Sequence, residues 1–184
     1  MGSWGATTTD EAKPKYLTTE DQRDCYATDR GWTVAAGGNS RAGADREVLV
    51  AIRGLSGATK LAEATISSVN WVDTTYDASE GDTIAVSVNW NEAVTVTVGA
   101  TIAVTNTGTG GTHTLVAPAS TSNRATFVLV MAAGGASGAW AADDVLSIVA
   151  QNITGTIVGG DGATASKAIS AANASGASTV TVVA

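Results

Sequence analysis

Residues 80–94 read EGDTIAVSVNWNEAV, with Ile84, Val86, Val88 and Trp90 at every second position and Thr83, Ala85, Ser87 and Asn89 between them. A two-residue period is the repeat of a pleated backbone, so this segment predicts a strand that buries one face. The same alternation predicts further strands at 64–72, 93–98, 100–107, 112–118, 124–131, 145–153 and 178–184, with the opening segment itself spanning 82–91. Breaker clusters at 77–81, 108–111, 134–138 and 159–162, rich in Gly and Asp, separate them. Trp71 and Trp90 each close a Val-Asn-Trp triplet and, with Phe127 and Trp140, are the predicted large core side chains.

Short strands at this spacing predict an all-β chain, an immunoglobulin-like antiparallel β-sandwich over residues 61–184. Residues 1–60 follow another pattern and predict an N-terminal arm, extended and in part short-helical, that acts as a docking region. Thr18 or Thr19 is placed to cap a helical turn, with Glu20 and Asp21 near its positive end. Gly31 ends that turn, 32–34 extends, the Gly-rich stretch 35–44 reads as a flexible loop, and EVLVAIRG at 47–54 reads as a strand. Trp4, Pro14, Tyr16, Tyr26 and Trp32 concentrate in this region. Two readings stay open for their rings: packing on their own sandwich, or burial on a neighbouring subunit.

Hydrophobic residues make up 44% of the chain and charged residues 15%, a balance that supports a packed core rather than disorder. The formal charge of −7 is unevenly placed: beyond residue 60 only Arg124 and Lys167 oppose nine carboxylates. Such a surface repels nucleic acid. No apolar run reaches the roughly 18 residues of a membrane-spanning helix. The first residues lack the basic start and apolar run of a secretory signal, so synthesis in a cytoplasm without Sec-type export is expected.

Chemistry-bearing residues are few. Cys25 is the single cysteine and reads as a small buried hydrophobe. His113 is the single histidine, so no histidine cluster can hold zinc, and its surroundings, GTGGTHT, lack the Lys-Ser/Thr and the helix of a phosphate loop. The acidic pairs Glu80/Asp82 and Asp143/Asp144 lack calcium-loop spacing and read as turn residues. The expectation is therefore no enzyme, no catalytic residue, no metal and no cofactor.

Two segments carry family resemblances. YDASEGDTIAVSVNWNEAVTVTV and the later GAWAADDVLSIVAQNITGTIVGGDGATAS resemble the bacterial immunoglobulin-like repeats of adhesins and large surface proteins, over about residues 65–165. SWG followed by KPKYLTTEDQRDCYATDRGW is similar to the start of small structural proteins of tailed phages that infect marine bacteria. Together the resemblances imply a virion component made in the host cytoplasm: a decoration, or cement, protein on the capsid surface. Its partners would be the major capsid protein and neighbouring copies of itself as a homo-oligomer, with Trp4, Pro14, Tyr16, Tyr26 and Trp32 as contacts and with neither nucleic acid nor membrane involved. The alternative is a fibre module that recognises host glycans through an exposed Trp140 beside Asp143 and Asp144, or another tail or neck component.

Overall fold

The structure is a computed structural model that describes residues 18, 25–28, 31–34, 47–50, 64–79, 81–108, 111–131, 140–160 and 162–183. Its first strands are β1 (Tyr26–Thr28), β2 (Gly31–Val34), β3 (Glu47–Val50), β4 (Ile66–Trp71), β5 (Thr75–Asp77), β6 (Thr83–Val96) and β7 (Ala100–Asn106). There follow β8 (Gly111–Ala117), β9 (Ser120–Val130), β10 (Val145–Ser147), β11 (Gln151–Asn152), β12 (Ile157–Gly159), β13 (Ala168–Ile169), the helix α1 (Ala171–Gly176) and β14 (Thr179–Val183). The described chain is all-β apart from one turn and a half of helix.

β6 is the spine. Along one edge it pairs antiparallel with β9 through most of its length, and along the other it receives β4 at its start and β12 at its end. A second run of neighbours follows the order β8-β7-β10-β14-β5, in which only β14–β5 is parallel. The two runs are joined by a single cross-strand pair, Val116↔Val128. Inward residues of both meet in one buried cluster: Val69, Ile84, Val86, Val88, Trp90 and Phe127 from the first, and Ile102, Val104, Leu115, Leu146, Val180 and Val182 from the second. Alternation therefore works as expected on β7, β8 and β14, each with one face withdrawn from water, whereas the middle of β6 is buried on both faces.

Polar tips of the core aromatics find partners. Trp90 is fully enclosed and its Nε1 donates to the Ser166 carbonyl at 2.9 Å. Tyr76, also fully enclosed, donates its hydroxyl to the Ala85 carbonyl at 3.2 Å and accepts from the Ala85 amide at 3.3 Å. Trp71 is only partly buried, edge-on to Tyr76 with ring centroids 6.1 Å apart.

Several sequence expectations are corrected. The strands expected at 82–91 and 93–98 are one continuous strand, because Asn91 keeps its ladder bond, its amide donating to the Thr65 carbonyl at 3.0 Å. What changes there is the partner: Trp90–Ala93 on β6 face the single residue Asn123 on β9, a wide bulge that re-aims the strand. The strand expected at 145–153 breaks after Ser147, and Gln151 completes the ladder with its side chain instead, bonding the Ala103 amide and carbonyl at 2.7 Å each. The helical turn expected before Gly31 is, at Tyr26–Thr28, a strand paired antiparallel with β2. There Tyr26 pairs with Thr33 and Ala27 with Trp32; the expected capping segment at 19–24 lies outside the described residues. β3 matches the expected strand over 47–50; the rest of it and the loop at 35–44 lie outside the described residues.

The connection from β10 to β14 carries elements the alternation did not reveal. β11 pairs with β13, β12 closes the edge of β6, and α1 packs on β4 with Ser170 as its N-cap, accepting from the Asn173 amide at 3.1 Å. Gly155 allows the close approach to β7: its φ is +98°, and a Cβ there would lie 2.8 Å from the Ala100 Cα.

Candidate functional site

Four residues singled out in the sequence come together where the β7–β8 turn meets the turn that leads into β10. His113 on β8 stacks on Trp140, ring centroids 3.8 Å apart and planes 22° from parallel. Asp143 is exposed with φ +68°, whereas Asp144 is 3% exposed. Asp144 Oδ2 accepts from Asn106 Nδ2 at 2.8 Å and from the Ala141 amide at 2.9 Å, while Asn106 Oδ1 accepts from the Gly108 amide at 2.9 Å. A Cβ on Gly108 would lie 1.7 Å from Asp144 Oδ1, so only glycine permits the carboxylate to sit beneath this turn.

This arrangement joins two loops and the start of β10. The Asp144 carbonyl accepts from the Val182 amide and the Asp143 amide donates to the Val182 carbonyl, both at 2.8 Å, which tie the same turn to β14. Burial holds the His113 pKa below its ordinary value of 6.5, and the nearby Asp144 charge opposes that shift only in part. Among the described residues no three His, Cys, Asp or Glu side chains converge as metal ligands.

Trp140 is 8% exposed, its face covered by the imidazole. The exposed indole that a glycan platform requires is therefore corrected: stacking on His113 removes that face from solvent.

The expected contact residues fall elsewhere. Trp4, Pro14 and Tyr16 lie outside the described residues. Tyr26 belongs to β1, and Trp32 belongs to β2, where it is 2% exposed. Cys25 and Thr33 beside them are also enclosed. β1 reaches the main sheet in parallel through one pair, Ala27↔Glu92, at the β6 bulge. The bulge explains the place: Asn91 and Ala93 direct their backbone bonds to Thr65 and Gly160, so Glu92 between them points its own to the side that β9 has vacated.

Sequence reasoning missed a polar ladder on the outward face of β4, β6 and β9. Asn89 is fully enclosed and Ser87 8% exposed there. Asn89 Nδ2 donates to Ser68 Oγ at 3.0 Å, and Asn89 Oδ1 accepts from Arg124 Nε at 2.9 Å. The signal was present as Asn at the polar phase of a regular strand, opposite one of the two cations of the acidic region. No family model, curated protein or solved structure matches this chain.

Proposed function

We propose that the chain is a phage virion component, a capsid decoration protein whose body is an immunoglobulin-like sandwich and whose N-terminal region docks on capsid subunits. The sandwich reading is supported by strand order: β4-β6-β9 lie in one run and β7-β10-β14 in the other, so that the chain crosses between the runs from β4 to β5, β5 to β6, β6 to β7 and β8 to β9, in the manner of a Greek key. The docking reading rests on the phage-like N-terminal segment together with one observation, the single backbone pair Ala27↔Glu92 through which β1 meets the body.

The function is mechanical. Several contacts of modest strength, made by many copies, hold adjacent capsid subunits together through effective concentration. Trp32 is enclosed by its own chain and serves the fold. The contact set is accordingly Pro14 with Trp4, Tyr16 and Tyr26, the last three being aromatic residues of the kind that dominate binding energy at interfaces. The acidic body faces solvent and keeps copies from associating away from the particle.

Removal of residues 1–17 tests this reading, because it spares β1 and β2. The shortened protein is expected to melt at the temperature of the full chain and to fail to rebind stripped particles. Undiminished occupancy on the particles overturns the docking role.

A further inference from the structure

His113 stands opposite Val104 across the β7–β8 ladder, with its ring against Trp140. Its Nε2 is enclosed and, among the described residues, has no hydrogen-bond partner. A neutral imidazole tolerates this position, since a nitrogen without a proton leaves only a lone pair unmet. Protonation places an N–H on both nitrogens. A charged donor is then held away from water without an acceptor, and that is the costlier deficit.

Two groups pull the other way. The Asp144 charge and the π-face of Trp140 both favour imidazolium. Asp144, however, already accepts from Asn106 and Ala141, and burial prevails over its charge. Asp143 beside it is exposed, Val104 on β7 is apolar, and segments 109–110 and 132–139 contain no titratable residue. Asp144 is thus the charged group that faces the ring.

We propose that His113 is an acid-released cover over Trp140: on protonation the imidazole leaves the indole and exposes its face, while the Asn106–Asp144 bond keeps the underlying turn in place. Acid then uncovers a flat aromatic surface on a protein whose sheets remain intact. This holds whether or not the chain sits on a particle.

One histidine per chain makes the test direct. The imidazole C–H signal of the intact protein is followed by NMR from about pH 8 to about pH 5, the range in which histidine titrates. The expected result is a midpoint below 6.5, an upfield ring-current displacement in the neutral form, and its loss on protonation. Acrylamide quenching assigned to Trp140 by difference from Trp140→Phe is expected to rise over the same range, with far-UV circular dichroism unchanged. A midpoint at or above 6.5, a displacement that survives in acid, or a transition that coincides with loss of sheet signal overturns the proposal.

Discussion

Replacement of Trp90 by Ala is the sharpest test of the packing. The indole is fully enclosed at the point where β6 enters its bulge, and its N–H satisfies the Ser166 carbonyl in the β12–β13 connection. Truncating a buried Trp costs about 3–5 kcal/mol through lost transfer energy and the cavity left behind. At about 2–4 °C per kcal/mol for a chain of this size, the melting temperature falls by roughly 6–20 °C. Trp90→Phe separates the parts, since it keeps most of the volume and removes the donor, with an expected loss of about 1–3 kcal/mol. Trp71→Ala is the control: the ring is half-buried and its Nε1 bond to the Ser178 carbonyl is 3.3 Å long. Urea unfolding followed by circular dichroism gives all three values. A Trp90→Ala loss smaller than that of Trp71→Ala refutes this assignment of the core.

Asp144→Ala removes the acceptor of two donors and is expected to cost about 2–4 kcal/mol, measured by urea unfolding. Gly155→Ala combines φ +98° with a clash on Ala100 and should cost about 1–3 kcal/mol; a melting temperature unchanged from wild type contradicts the close approach. The folded His113 pKa lies below the unfolded value of 6.5, so the unfolded chain binds the proton more readily. Stability from this group is complete above pH 6.5 and declines as pH falls through the folded pKa; His113→Gln should flatten that part of the stability profile, and an unchanged slope counts against it.

The alternation alone located β4, β7, β8 and β14 to within about two residues, because each buries one face and a strand's period is unambiguous. It separated 82–91 from 93–98, since Glu92 puts a charge at the apolar phase, although Val94 and Val96 keep that phase and the strand runs on. It passed over β5, β11, β12 and β13, which have two or three residues each and too few positions to show a period. The two Val-Asn-Trp triplets look alike in sequence, yet Trp90 is enclosed and Trp71 is not, because Trp90 lies on the central strand β6, whereas Trp71 ends β4, which among the described residues pairs on one side only. The His113–Trp140 stack was illegible for a related reason. Twenty-six intervening positions carry no period that links them, and only the meeting of two turns brings their rings together.

A lattice coat and a fibre differ in number. Quantitative mass spectrometry of purified phage particles gives the molar ratio of this chain to the major capsid protein. The decoration reading predicts a ratio of simple lattice stoichiometry, with copies in the hundreds; a handful of copies per particle, or none, contradicts it.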